Sequence, residues 1–446
     1  MTSPTQFSLF AQRRFAPFFW TQFLGALNDN VFKVALLTAI TYDSLHWTEV
    51  DAGLLNNLIP GLFILPFVLF SAVAGQLADR AEKSRWMRQV KMAEIVLMAI
   101  AAVGWLTHQL WLLVIVIAAM GLQSTFFGPV KYAYLPQHLK ESELTGGNGV
   151  VEMGTFVGIL LGQVLGAVLV MAKPWGIVLA AGSGLLLAIA GWLASRGIPL
   201  SPAAAPGLAI GWNPFSASWA NLRLMRQNHA VWWAIVANSW FWFYGAIMLA
   251  QFPVYARDLL QGDSTVFVLL LMVFSLGVGS GSLLCEWLSG RKIEIGLVPL
   301  GAIGMTIFGV DLWLASSAYL ATGPADWHAF VMSEGSVRIM ADCLLIGLFG
   351  GIYSVPLFAM IQTRCAPQQV SRTIAGMNIL NALFMVAAAL LGMVLLQAGL
   401  SIPEIFLVTA LLNALVALYV FWRVPEFLFR FRAWLAAWRS RAAETE

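Results

Sequence analysis

Apolar runs of about twenty residues, the length a helix needs to cross the hydrocarbon core of a bilayer, recur along the whole 446-residue sequence. A segment inside lipid must satisfy every backbone N–H and C=O internally, so such runs leave few folds open. Read between Gly, Pro and charged punctuation, they predict helices over 15–41, 53–78, 88–107, 110–132, 146–171 and 175–195. Six more are predicted over 229–256, 264–289, 296–320, 338–361, 373–398 and 402–423. The third and fourth are joined by a tight turn around Thr107 and His108. The chain is 60% apolar and only 11% charged, whereas soluble domains carry roughly 25% charged residues. The expected class is therefore an all-α membrane protein with twelve spans.

Basic residues give the orientation, because cytoplasmic loops carry an excess of them. With the N-terminus inside, twenty-one of the 25 basic residues fall on the cytoplasmic side; Lys173, Arg257 and Arg338 fall outside, and Lys33 is embedded. Both termini are thus expected in the cytoplasm of a cell with an inner membrane. Arg13 and Arg14 precede an apolar stretch, but Phe15 to Tyr42 is long and polar at Asn28, Asp29, Asn30 and Lys33, which reads as a retained helix rather than a signal peptide. A net charge of +3 without a basic stripe implies no nucleic-acid partner. Cys285, Cys343 and Cys365 are too few and too scattered for a disulfide framework or a metal site, and no cofactor motif stands out.

Proline and arginine break the pattern between Arg196 and Asn228, which divides the chain into six-helix halves over 1–196 and 229–423, a linker over 197–228 and a tail over 424–446. The halves echo one another: Gly75, Leu77 and Arg85 are spaced as Gly281, Leu283 and Arg291, and Asn148 with Gly162 as Asn378 with Gly392. The turn after the second helix runs Gly75-Gln-Leu-Ala-Asp79-Arg80-Ala-Glu-Lys83-Ser-Arg85 and resembles the signature loop of the major facilitator superfamily. In that loop Gly75 would permit close helix contact, and Asp79 would latch onto basic groups or a helix end, with Arg80 and Arg85 beside it. Gly154, Gly158, Gly162 and Gly166 form a stripe on the fifth helix, for which Gly277, Gly279, Ser280 and Gly281 offer a matching patch on the eighth. Small residues of this kind serve close packing, or here a sliding gate.

Ionisable groups at membrane depth are costly and point to function. Asp29 and Lys33 share one face of the first helix, flanked by Asn28 and Asn30, while Lys131 and Glu152 add opposite charges on the fourth and fifth helices. Such a set suits a zwitterion. Glu94, Asp311 and Asp342 are lesser candidates, Asp342 with Arg338 as its expected partner. Trp232, Trp233, Asn238, Trp240, Trp242, Tyr244 and their neighbours either belt the interface or line the path of an amphiphile. Glu426 to Arg441 alternates aromatic and arginine residues as an interfacial helix facing anionic lipid does. His46 and Asp51 have the spacing of an acyltransferase acid/base pair but lack its glycine-rich segment, and no phosphate-cradling lysine loop is present, so enzymatic activity is not expected.

Four strings carry a finer likeness: Ala26-Leu-Asn28-Asp29-Asn30-Val-Phe-Lys33, Gly128-Pro-Val-Lys131-Tyr132, Gly147-Asn148-Gly-Val-Val-Glu152 and Val355-Pro356-Leu-Phe-Ala-Met-Ile-Gln362. Together they resemble motifs of the bacterial lysophospholipid transporters, and of the transporter portion of fusions with an acyltransferase and an acyl-carrier-protein ligase. The resemblance implies a twelve-helix facilitator that moves lysophospholipids, chiefly lysophosphatidylethanolamine, from the outer to the inner leaflet for reacylation, with an acyltransferase/acyl-carrier-protein ligase as a possible partner; a monomer is expected, though the sequence does not fix the oligomeric state. The resemblance further implies that Asp29, Asn30, Lys131 and Glu152 recognise the headgroup or couple its movement. Where such transporters carry a basic residue in the seventh helix, this chain has Leu249-Ala-Gln251-Phe252, which leaves Gln251 as the polar group there. Two other readings stay open: an exporter of drugs or metabolites on the same fold, and a membrane scaffold for an acyltransferase.

Overall fold

The computed structural model describes residues 5–42, 52–321 and 323–443. Among them run α1 (Ala16–Tyr42), α2 (Ala52–Arg80), α3 (Lys83–Leu106), α4 (Leu110–His138), α5 (Glu141–Met171), α6 (Gly176–Ser195) and α7 (Pro214–Arg226). The second part of the chain forms α8 (His229–Val254), α9 (Ser264–Leu288), α10 (Leu297–Ala318), α11 (Trp327–Met332), α12 (Ser336–Arg364), α13 (Val370–Gln397), α14 (Ile402–Arg423) and α15 (Glu426–Ala443). Twelve of the described helices, all but α7, α11 and α15, are long and apolar enough to span a membrane. His46 and Asp51 lie outside the described residues.

Several helices begin earlier than hydropathy predicts, at Lys83, Glu141 and Ser336. Their first turns are polar, so an apolar run misses them, yet the hydrogen-bond ladder continues past the bilayer edge wherever a cap supports it. For α3 that cap is Glu82, which accepts from Ser84 N at 2.9 Å and Arg85 N at 2.7 Å. Prolines at 60, 66, 129, 136, 253 and 356 lie within helices, as membrane helices tolerate.

The chain divides into two compact units. The first comprises the residues up to Leu139 with Gly154–Gln227 and Cys365–Ala382; the second comprises Lys140–Met153, Asn228–Arg364 and the residues from Leu383 on. Thus α5 and α13 each contribute one stretch to either unit.

In the first unit, Phe32 and Leu36 of α1, Ile59 of α2, Met98 and Trp105 of α3, Leu113 and Ile117 of α4 and Ala188 of α6 form one buried cluster. Glycines set the closest approaches. A Cβ at Gly162 would lie 2.7 Å from Asn30 Cβ and from Leu27 O, and one at Gly158 3.2 Å from Phe23 O, so the α5 stripe packs on α1. The linker is not featureless, because Asn213 caps α7 by accepting from Phe215 N and Ser216 N.

In the second unit, Gly277 and Gly281 of α9 pack on Leu344 and Leu348 of α12, and Gly347 and Gly351 of α12 pack back on Phe274 and Val278. This corrects the pairing expected from sequence: the α9 glycines serve α12, and Gly279 alone among them touches α5, at Met153. The aromatic run on α8 is neither belt nor lining at its centre. Trp240, Phe241, Phe243 and Tyr244 are buried, Trp240 Nε1 donates to Asn413 Oδ1 at 2.8 Å, and Tyr244 OH donates to Met305 O at 3.2 Å. Nor does α15 float free, since Arg430 pairs with Glu294 at 2.8 Å, Trp434 Nε1 donates to Leu288 O at 2.8 Å and Trp438 meets Trp287.

Candidate substrate site

Polar side chains collect inside the first unit in two layers, seven residues apart on α1 and again on α4, or about 10 Å along each helix axis. The first layer holds Asn28 and Asp29 of α1, Lys91 and Glu94 of α3, and Gln123 and Ser124 of α4. Glu94 is its hub. Asn28 Nδ2 donates to Glu94 Oε1 at 2.8 Å, Lys91 Nζ to Oε2 at 2.6 Å and Gln123 Nε2 to the same oxygen at 3.1 Å. Asn28, Lys91, Glu94 and Gln123 are all buried, Lys91 to 1% exposure. Gly25 makes room for that lysine, since a Cβ there would collide with Lys91 Nζ.

Asp29 sits differently. Its Oδ2 accepts from Ser124 Oγ at 2.6 Å, while its Oδ1 is buried with no hydrogen-bond partner. Lys33, one turn further along, turns to the face of Phe63 at 5.3 Å. No contact ion pair joins Asp29 to Lys33 among the described residues. Asn30 is buried and donates to Ala26 O of its own helix at 2.8 Å.

The second layer holds Gln22, Lys131 and Thr155. Lys131 Nζ donates to Thr155 Oγ1 at 2.8 Å and lies 5.0 Å from the Tyr132 ring centre, and Thr155 Oγ1 donates to Gln22 Oε1 at 3.1 Å. Gln22 Nε2 is buried and unpartnered.

The remaining candidates lie in the second unit. Glu152 is buried on α5, one turn after Asn148, whose amide exchanges hydrogen bonds with Gln362 at 2.7 and 3.0 Å. Gln251 is buried on α8, with its Nε2 over Gly392. Arg338 bonds Asp311, not Asp342, and Asp342 is buried beside that pair. Four-residue spacing on α12 points to Asp342, but Asp311 of α10 offers the guanidinium both oxygens.

At the end of α2, Asp79 is fully buried and faces the start of α13. Its carboxylate accepts from Ser371 N at 3.1 Å, Arg372 N at 3.3 Å and Arg372 Nε at 3.0 Å. First-turn N–H groups have no partner within their own helix, and the positive end of the helix dipole favours an anion there. Gly75 lets the two helices come this close, because a Cβ would sit 2.9 Å from Arg372 Cα. Arg80 and Arg85 point outward, exposed.

Sequence reading missed three members of the first layer. Lys91 falls within the predicted 88–107 helix but counts among the basic residues of the cytoplasmic side, and the structure corrects this by burying it inside the bundle. The signal was its three-residue spacing from Glu94, which places opposite charges on one helical face. Gln123 and Ser124 carried no comparable signal, since amides and hydroxyls are common within spans.

Residues 18–340 match the Major Facilitator Superfamily as a family. The lysophospholipid transporter LplT of Enterobacter sp. (strain 638) is 24% identical over 350 residues, covering 77% of this chain and 78% of the relative. The transporter of the same name from Klebsiella pneumoniae (strain 342) is 26% identical over 346 residues, with the same coverage. Among solved structures, the human organic anion transporter MFSD10 superposes with a TM-score of 0.74 at 15% identity, over 94% of this chain and 100% of that one. The Escherichia coli fucose:proton symporter FucP gives 0.67 at 15% identity, over 92% and 98%.

Proposed function

This chain belongs to the Major Facilitator Superfamily, and we propose from that premise that it carries lysophospholipid, chiefly lysophosphatidylethanolamine, from the outer to the inner leaflet of a bacterial inner membrane. One observation carries the reading: within the first unit a buried carboxylate oxygen, Asp29 Oδ1, has no donor, while the neighbouring Glu94 is saturated by three. An unsatisfied acceptor at that depth costs free energy until a donor arrives. A primary ammonium supplies one. In the second layer Lys131 and the spare Gln22 Nε2 are donors of the kind a phosphate takes. A zwitterionic headgroup brings both charges together, and the two named relatives are lysophospholipid transporters.

Glu152 and Gln251, buried within the second unit, would take part in recognition at their own stage of an alternating-access cycle. Gln251 offers phosphate a neutral hydrogen bond where a basic residue would offer charge, so headgroup charge is read mainly through Lys131 and Asp29. The Asp79 latch, with Gly75, Arg80 and Arg85 about it, would hold one conformation of the cycle, and Gly158 and Gly162, packed on α1, would serve as a separate sliding contact. The excess of basic residues in one set of loops supports a cytoplasmic location for both termini, where an acyltransferase would consume the delivered lysolipid.

The test is transbilayer movement of labelled lysophosphatidylethanolamine by purified protein in liposomes. Asp29→Asn protein should lose most of the movement, and Lys131→Gln should weaken it for phosphate-bearing lysolipids. Unchanged uptake by the Asp29 variant would remove the ammonium site. Export of drugs without any lipid movement would favour the alternative cargo.

A further inference from the structure

The linker helix α7 presents an aromatic and basic face that the carrier mechanism does not use. Trp212, just before it, is 70% exposed, Phe215 74% and Trp219 55%. Phe215, Trp219, Arg223 and Arg226 follow at helical spacing, so they share one face. Arg223 lies over the Trp219 ring at 5.5 Å, which gathers charge and aromatic surface together. The opposite face, Ala217, Asn221 and Met225, is buried.

Position says what the exposed face meets. Ala217 packs with Ala72, Val73 and Ile379, and Ala72 and Val73 belong to the span Leu58–Arg80. Val73 is two turns, about 10 Å, from the end of that helix, so α7 packs beside the last turns of a membrane-spanning segment, the level at which a headgroup region is expected. Tryptophan and arginine on the outward face of a helix at this level suit the headgroup region, and arginine favours anionic lipid.

The buried face reaches the latch. Asn221 Nδ2 donates to Arg372 O at 2.8 Å, and Met225 fills the space over Gly376. Just upstream, Gly211 N donates to Gln76 Oε1 at 2.7 Å and Ala205 N to Asp79 O at 2.8 Å. Whatever holds α7 in place therefore also braces the contact of Asp79 with Ser371 and Arg372. We propose that α7 docks on an anionic phospholipid surface through Trp212, Phe215, Trp219, Arg223 and Arg226, and that this docking steadies the Asp79 latch. Surface binding of this kind is independent of the cargo.

An environment-sensitive fluorophore on Ala220→Cys, an exposed position on the flank of that face, reports docking; Cys365→Ala leaves only the buried Cys285 and Cys343 as competing thiols. The protein is placed in nanodiscs of phosphatidylcholine alone, or with one part in three of phosphatidylglycerol. The expected result is a blue shift with phosphatidylglycerol that Arg223→Gln/Arg226→Gln removes, each arginine weighting the docked state about fivefold and the pair roughly thirtyfold. Amide exchange at Ser371 and Arg372 should slow in the anionic discs for the parent and not for the variant. An unfolding midpoint equal to the parent's confirms that the variant is folded, and Phe215→Ser/Trp219→Ser provides a second, charge-preserving variant that should also lose the shift. Equal emission in both lipid compositions would overturn the proposal, as would a shift that survives both variants. A water-like label throughout would assign the face to a protein partner instead and equally overturn it.

Discussion

Replacing Glu94 with alanine removes three hydrogen-bonded contacts at once, from Asn28, Lys91 and Gln123. Gln123 keeps a weak alternative at Val90 O, 3.4 Å away, but Lys91 keeps none as strong: it is 1% exposed and walled by Gly25, Gly191 and the Phe127 ring. A buried charge stripped of its partner costs about 3–5 kcal/mol, and the orphaned Asn28 amide adds about 1–3 kcal/mol. Lys91→Met/Glu94→Leu orphans the same amide but leaves no charge behind. The difference between the two variants therefore isolates the unpaired ammonium, and the double variant should be more stable than Glu94→Ala by about 3–5 kcal/mol. Equilibrium unfolding in mixed micelles of mild and denaturing detergent, followed by tryptophan fluorescence, measures both. A Glu94→Ala protein within about 1 kcal/mol of the parent, or a double variant no better than the single, would refute the view that Glu94 organises this interior.

Gly162→Ala should cost about 1–3 kcal/mol, because its Cβ would press on Asn30 Cβ and Leu27 O at 2.7 Å. Gly182→Ala on α6 meets nothing within 4 Å and should be neutral or stabilising by up to about 1 kcal/mol; thermal unfolding compares them. Asp79→Ala leaves the Ser371 and Arg372 N–H groups without their acceptor, so their hydrogen exchange should quicken about tenfold or more, as expected for the loss of about 1.4 kcal/mol. Burial works against the charge of Glu82, but N–H groups of Ser201, Arg85 and Ser84 outweigh it and hold this carboxyl below the ordinary glutamate range. Its folded pKa is depressed, so its stabilisation is complete above the unfolded value near ~4.3 and fades as the pH falls through the folded one. Glu82→Gln should accordingly lower the unfolding temperature at neutral pH, with the gap closing below about pH 4.

Twelve spans were legible because lipid imposes one rule on every segment, and a run of apolar residues records obedience to it directly. The Asp79 position was legible for a related reason: a carboxylate just inside the end of a span must find donors, and a helix start supplies them. Register between helices was not legible. The α5 glycines face α1 and the α9 glycines face α12, yet nothing in four-residue spacing names a partner. The aromatic run on α8 misled for want of Asn413 and Met305, far along the chain, which satisfy Trp240 and Tyr244 in the core. Lys91, three residues into the predicted 88–107 helix, reads as one more basic residue of the cytoplasmic side, whereas α3 begins at Lys83 and carries it two turns into the bundle.

The same bookkeeping of donors and acceptors separates structure from function inside the first unit. Glu94 and Lys91 spend their capacity on each other and on Asn28 and Gln123, so a ligand could engage them only by breaking bonds that hold three helices together. Asp29 spends half of its capacity, on Ser124, and keeps an oxygen in reserve. In a medium that punishes unsatisfied polar groups, that reserve is the feature least explicable by stability alone. The two acids should therefore respond differently to the same change. Glu94→Gln disturbs folding and transport together, whereas Asp29→Asn keeps the hydrogen bond from Ser124, leaves the unfolding midpoint near the parent's and suppresses lysolipid movement. Were Asp29→Asn the less stable of the two, with transport following stability in both, the division between a committed scaffold and an uncommitted binding group would collapse.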